Sequence, residues 1–176
     1  SPVDLSFMNT PEIPAGKHGF LKTSNEDLMF EDGTKARFWG TNIQAFTLFA
    51  TSPSQIKTHA KRLSKLGFNL VRFHHHDSSW VYPNIFGNRA PDTKKLARES
   101  LKLLDMWIKA LKDEGIYIWL DLNVGREFTD KDGINNFLEI ANGRNVTAAK
   151  GFNYIEDDVE NLMKEFNATY LNQVNQ

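Results

Sequence analysis

One short stretch concentrates the reactive side chains of this sequence: Asn69-Leu-Val-Arg-Phe-His-His-His-Asp77. Read as a strand, its side chains alternate, so Leu70, Arg72, His74 and His76 share one face while Val71, Phe73 and His75 share the other. The Val71/Phe73 face suits packing against helices, which leaves Arg72 and His74 pointing inward. An enclosed arginine needs anionic partners. A catalytic carboxylate would be one, and an internal ion pair that only joins strands would be another. Three consecutive histidines invite a metal reading. Only two can face one way from a strand, however, and a further ligand such as Asp77 or Asp121 would be required. Hydrogen bonding to a substrate, or partial burial, accounts for them with fewer conditions.

Polar residues also punctuate two other apolar runs. Asn42 and Gln44 close Phe38 to Gln44, and Asp121 and Asn123 close Ile116 to Asn123. Trp119 shares a face with Asp121 and Asn123 and is expected to fill the interior below them; Trp39, beside Gly40, is likewise expected in the core. Trp80 follows the histidines in a loop, where it is either a sugar-stacking platform or a loop anchor. Asn145-Val-Thr147 and Asn167-Ala-Thr169 match a glycosylation pattern too short to carry weight.

The elements that must position these residues follow a repeated grammar. Ser1 to Phe20, with Pro2, Pro11, Pro14 and Gly16, reads as an extended lead-in. Asp27 to Gly40 reads as a hairpin turning at Asp32-Gly33. A strand over Phe38–Gln44 precedes a helix with Ser52 as N-cap and Pro53 at its first position. Ile56, Ala60, Leu63 and Leu66 form its apolar face, and Gly67 stops it. The strand Asn69–His74 leads through a Pro- and Asn-rich loop to a second helix capped by Asp92. Its face is Ala97, Leu101, Leu104, Ile108 and Leu111, and Gly115 ends it before the strand Ile116–Asn123. A polar loop, Gly125 to Asn153, precedes a third helix carrying Ile155, Val159, Leu162, Phe166 and Tyr170.

Helix, glycine, strand thus occurs twice, with near-continuous apolar strands. That predicts a parallel sheet covered by helices. A doubly wound sheet would place a glycine-rich loop after its first strand, and Asn42-Ile-Gln-Ala-Phe-Thr47 is not one. A (β/α)8 barrel places polar residues at the C-terminal ends of successive strands, as here. The expected fold is α/β, a partial (β/α)8 TIM barrel comprising about the first three βα units over 38–176, preceded over 1–37 by an extended segment and a β-hairpin.

Composition narrows the partners. The chain has 176 residues, 21 Lys plus Arg against 22 Asp plus Glu, and a net charge of -1. That balance argues against nucleic-acid binding. Its 40% hydrophobic content argues against disorder. No apolar run approaches the roughly 18 residues of a membrane span. Without cysteine, disulfides and thiol nucleophiles are excluded. A start at Ser1 reads as a processed or trimmed chain with any targeting peptide removed.

Several stretches together resemble a known family: Pro14-Ala-Gly-Lys-His-Gly-Phe20, Phe30-Glu-Asp-Gly-Thr34, Ala36-Arg-Phe-Trp-Gly-Thr-Asn42, Leu66-Gly-Phe-Asn-Leu-Val-Arg-Phe-His-His-His-Asp77 and Leu111-Lys-Asp-Glu-Gly-Ile-Tyr117. From about residue 4 to its end the chain resembles the N-terminal part of cellulase-like glycoside hydrolases, retaining enzymes of clan A and the family 5 type. The resemblance implies that Arg72 supports the nucleophile and that Asn123, where many relatives carry histidine, contacts sugar. Retaining glycosidases need two carboxyl groups about 5–5.5 Å apart. In the clan these are glutamates ending the fourth and seventh strands, the first in an Asn-Glu motif. The Asn25-Glu26 pair precedes the first barrel strand, so both catalytic residues are expected outside the chain.

The leading expectation is therefore an N-terminal fragment of a retaining hydrolase of polysaccharide or oligosaccharide O-glycosidic bonds, inactive alone. Its substrate-binding set is Arg72, His74, His76, Trp80, Asn123 and Asn42, with no cofactor and no metal. A non-catalytic carbohydrate-binding or interaction module, and a metal-dependent enzyme using the histidines, are the competing readings. The expected partners are a carbohydrate and either the remainder of the barrel or another copy joined through exposed sheet edges. Neither nucleic acid nor membrane is expected as a partner, and the expected location is secreted or periplasmic.

Overall fold

The structure, a computed structural model, describes residues 3–142 and 150–174. The chain divides into two compact units, Ser1–His74 with Leu104–Asp121, and His75–Leu103 with Leu122–Gln176.

In the first unit, β1 (Leu21–Ser24) and β2 (Asp27–Phe30) form an antiparallel hairpin with Ser24 opposite Asp27. Its turn is Asn25-Glu26, one turn earlier than expected. Asn25 sits at φ 55°, a left-handed conformation that asparagine tolerates better than most residues. Asp32-Gly33 turns the chain a second time, with the Gly33 amide donating to the Phe30 carbonyl at 3.0 Å. Lys35 then bridges back to Met29. The expected hairpin is thus a three-pass meander whose first turn lacks the Asp-Gly signature.

Three parallel strands follow: β3 (Gly40–Gln44), β4 (Leu70–His74) and β5 (Tyr117–Leu120), in the order β3-β4-β5. The register sets Asn42 beside Arg72, Arg72 beside Trp119, and Gln44 beside His74. Two helices lead between successive strands. α1 (Ala45–Ala50) was not anticipated, although Ala45, Leu48 and Phe49 have helical spacing and are buried. α2 (Pro53–Lys65) starts and stops where Pro53 and Gly67 predict. The Ser52 hydroxyl donates to the Gln55 side chain, so Pro53, with no N–H to satisfy, does more than Ser52 to set the first turn. Gly67 has φ +81° and Gly115 φ +73°. At Gly115 a Cβ would also lie 2.7 Å from the Asn9 carbonyl, so both the turn and the packing require glycine.

α3 (Arg98–Asp113) crosses from β4 to β5 and begins later than the Asp92 cap predicts. The Asp92 carboxylate instead accepts from the Lys94 amide in a local turn. Its buried face includes Leu104, Trp107 and Leu111. Trp107 donates its indole N–H to the Leu48 carbonyl at 3.2 Å. A buried indole of this size stabilises by about 4 kcal/mol at 25 cal/mol per Å².

The lead-in before residue 37 packs on the helices that flank the sheet. A 3-10 turn, Ser6–Glu12, carries the buried Asn9. The Asn9 amide donates to the Phe68 carbonyl at 2.7 Å, and the Ala15 amide to the Lys112 carbonyl at 2.9 Å. Tyr117 donates its hydroxyl to Glu12, and burial pushes that phenol up to about 12. These bonds satisfy backbone groups at the ends of α2 and α3, which is why the segment packs there.

Trp39 and Trp119 are not core residues. They are 69% and 61% exposed. Trp39 precedes β3. Trp119 stands beside Arg72 on the edge strand β5, where the three strands do not close on themselves to bury an indole.

In the second unit, α5 (Asp157–Val174) follows α4 (Phe137–Asn142). Asp157, Asp158 and Glu160 in its first turn suit the helix's positive end. Val159, Met163, Phe166 and Tyr170 are buried along one stripe, with Leu162 partly buried beside it. Ile155, expected on that stripe, lies before the helix and is 78% exposed. Asn145 lies outside the described residues. Among the described residues, no helix is long and apolar enough to cross a membrane.

Candidate functional site

At the C-terminal ends of β4 and β5 in the first unit, Arg72, His74 and Asp121 form one cluster. Val71 and Phe73 are fully buried on the opposite face of β4, as the alternation requires. Arg72 Nε lies 3.0 Å from both Asp121 carboxylate oxygens, and Nη2 lies 2.9 Å from Oδ2. His74 Nδ1 lies 2.6 Å from the same Oδ2. A carboxylate only accepts, so Nδ1 carries the proton. Burial opposes ionisation of Asp121, but the Arg72 and His74 hydrogen bonds outweigh it and hold the carboxyl below its usual range. The Asp121 side chain is 9% exposed, His74 19% and Arg72 42%.

The chemistry follows from that gradient. Asp121 is the sealed anchor, His74 is largely covered, and Arg72 reaches solvent. Nε and Nη2 are spent on Asp121, which leaves Nη1 to meet another acceptor. The cluster can therefore offer charge-assisted hydrogen bonds to hydroxyl or carboxylate oxygens while its own orientation stays fixed. Asn42 stands beside Arg72 in the register and is exposed. The anionic partner that Arg72 needed is thus Asp121, one strand over. The signal was in the sequence, since both residues close parallel strands, but the pairing required the register.

The other expected site residues belong to the second unit. β4 ends at His74, and His75 takes φ 59°. That turn breaks the alternation, so His76 does not continue the Arg72 face. It is fully buried, its ring stacked on Tyr170 at 5.0 Å between centroids. A sealed ring cannot meet a sugar, so His76 leaves the substrate-binding set. His75 Nδ1 lies 3.0 Å from the Ser78 hydroxyl, and its ring packs edge-on to Trp80. Trp80 is 50% exposed and Asn123 is exposed. The three histidines therefore take three different environments. Among the described residues no group of three His, Cys, Asp or Glu side chains is arranged to hold a metal ion.

Asp77 and Arg126 are the second unit's buried charges. The Asp77 carboxylate accepts from the amides of Val124 and Gly125, both at 2.9 Å. Arg126, which sequence reasoning did not single out, is 7% exposed. Its Nε donates to the Thr93 hydroxyl and its Nη2 to the Thr93 carbonyl, both at 2.9 Å. The guanidinium lies over the rings of Phe86, Phe128 and Phe166 at 5.4, 4.6 and 5.4 Å.

Comparison with solved structures shows what this sheet resembles. The chain superposes on the endo-1,4-beta-mannanase of Rhizomucor miehei with a TM-score of 0.58 and 16% identity, over 84% of this chain and 40% of that one. The fold is α/β, that of part of a TIM barrel. A glycoside hydrolase family 5 structure from Bacteroides vulgatus matches at 0.49 and 19% identity, over 92% and 38% of the two chains. A further glycoside hydrolase matches at 0.48 and 19% identity, over 92% and 40%. The chain spans about two-fifths of the length of each of these structures. No protein-family model and no curated protein matches the sequence.

Proposed function

We propose that the chain supplies the first three βα units of a retaining glycoside hydrolase, acting on O-glycosidic bonds of polysaccharides or oligosaccharides. The observation that carries this reading is the Arg72–Asp121–His74 cluster at the C-terminal strand ends, where barrel enzymes place their sites. Arg72 is its sugar-facing donor, His74 contacts sugar beside it, and Asn42 adds a neutral partner. Trp80 and Asn123, exposed in the second unit, are sugar contacts on the resemblance alone. The acid/base and nucleophilic glutamates come from outside this chain, so the chain alone binds without turning over. β-1,4-linked mannan and glucan oligosaccharides are the first ligands to try, given the mannanase likeness. The protein acts in a secreted or periplasmic setting, and its partners are the carbohydrate and the polypeptide that completes the barrel.

Titration calorimetry with mannohexaose and cellohexaose, beside an aryl glycoside assay, tests this. The expected result is saturable binding by the folded chain, weakened at least tenfold by Arg72→Ala, with no hydrolysis. Steady hydrolysis abolished by Asp121→Ala would overturn the assignment of catalysis elsewhere. Absence of binding to either sugar would overturn the carbohydrate reading.

A further inference from the structure

Two loops of the second unit are clasped together by buried polar groups. The loop after β4 supplies Asp77 and Ser78, both buried. The loop after β5 supplies Asn123, Val124 and Gly125. Each oxygen of the Asp77 carboxylate takes one backbone amide, Oδ2 that of Val124 and Oδ1 that of Gly125. Only an ionised carboxylate presents two such acceptors side by side. Gly125 comes so close to Ser78 that a Cβ there would run into the Ser78 hydroxyl. That hydroxyl lies 3.0 Å from His75 Nδ1, which holds it in place. Asn123, the residue just before the two clasped amides, is exposed. Among the described residues its side chain takes no hydrogen bond, so the backbone alone aims it.

We propose that Asp77 is a positioning residue for carbohydrate. Through the amides of Val124 and Gly125 it fixes the backbone that directs Asn123, and Ser78 sets how closely the loop approaches. The inference rests on the glycoside hydrolase reading, which makes Asn123 a sugar contact, and adds to it a residue that touches no sugar. A buried carboxylate is costly unless its hydrogen bonds are met, and here they are met by two consecutive amides of one short irregular segment. Placement of that segment is what such an arrangement provides, since small misplacements of a binding group are expensive. A clasp serving stability alone behaves differently. It weakens the fold when cut and leaves the sugar affinity of the folded chain unchanged. A positioning clasp changes that affinity, and its effect vanishes once Asn123 is gone.

A double-mutant cycle between Asp77→Asn and Asn123→Ala, read by calorimetric titration of the full chain with mannohexaose, tests this. Circular dichroism checks that each variant is folded. Asparagine keeps the shape of Asp77 but turns an NH₂ group toward one of the two amides, so one hydrogen bond is lost. Each single variant is expected to weaken binding about fivefold. The double variant is expected to bind no more weakly than either single one, because both changes remove the same contact. Effects that multiply in the double variant would overturn the proposal, as would a folded Asp77→Asn of unchanged affinity. If Asp77→Asn does not fold, Gly125→Ala takes its place in the cycle with the same expectation, since it displaces the loop and leaves the carboxylate intact. Failure of both to fold would give the clasp to stability and overturn the proposal. Arg72→Ala separates this inference from the reading beneath it. Affinity that responds to Arg72→Ala but to neither Asn123→Ala nor Asp77→Asn removes the positioning role and leaves the carbohydrate reading; no binding by the parent chain removes both.

Discussion

Two arginines, one in each unit, show how differently the fold can house a positive charge. Arg72 is 42% exposed at its side chain and pairs with a carboxylate, Asp121. Arg126 is nearly sealed, and its described hydrogen bonds go to a hydroxyl, two carbonyls and a thioether while three phenyl rings face its guanidinium. Burial brings its pKa down to about 10, against the pull of Asp132, Asp77 and Glu165. Asp132 answers the charge through Thr93, whose hydroxyl accepts from Arg126 and donates to Asp132 at 3.0 Å. A cation enclosed this way is committed to its packing. A cation clamped on one side by a carboxylate and open on the other can still bind something, and on the proposed reading Arg72 serves binding where Arg126 serves stability.

The largest expected effect is therefore at Arg126. Arg126→Ala removes the cation from Thr93 and Leu162, leaving buried acceptors and a cavity between aromatic rings. The expected cost is about 3–5 kcal/mol, read as a fall of roughly 10 °C in melting temperature. Arg126→Lys should recover little, because an ammonium cannot reproduce the planar stack and the divided hydrogen bonds. A loss within 0.5 kcal/mol would erase the contrast between the two arginines.

Arg72→Ala is expected to cost less, about 1–2 kcal/mol, since Arg72 reaches solvent and His74 still donates to the mostly buried Asp121. Chemical denaturation checks this, and a loss as large as that at Arg126 would return Arg72 to a structural role. A third ionic contact calibrates the exposed end of the scale. His18 Nδ1 lies 2.5 Å from Asp32 Oδ2. Hydrogen bonding to Asp32 raises the His18 pKa above 6.5. A raised folded-state pKa stabilises fully below the unfolded value, and that contribution disappears as pH rises through the folded value. Asp32, lowered to about 2 chiefly by the Thr34 amide and then by His18, behaves oppositely: its contribution is present above about 4 and is lost as pH falls toward 2. Melting curves from pH 5 to 9 should show a small decline that His18→Gln abolishes; an unchanged slope in the variant would place the pH dependence elsewhere.

What the sequence disclosed, and what it hid, divides along physical lines. The parallel sheet, α2 and the core face of β4 were legible because period-2 and period-3.6 burial is written directly in Val71, Phe73, Ile56 and Ala60. Gly67 and Gly115 announced their turns because only glycine meets those conformations cheaply. The Arg72 and His74 direction was legible for the same reason as the core. Asp121 as their shared partner was not, because strand register is a tertiary fact. His76 was misplaced because one left-handed residue, His75, ended the alternation without a glycine to mark it. Trp39 and Trp119 were misassigned because aromatic content signals burial only when a facing wall exists. Arg126 gave no signal, since its aromatic and carbonyl partners come from residues 86, 93, 128, 162 and 166.

The most direct test of the site is a residue-resolved titration of the folded chain with mannohexaose, followed by NMR at the Arg72 Nε–H, the His74 ring and the Arg126 Nε–H. The account predicts saturable shifts at Arg72 and His74, none at Arg126, and loss of the His74 shift in Arg72→Ala. Shifts centred on Arg126, or none at Arg72 and His74 in the presence of saturating sugar, would contradict it.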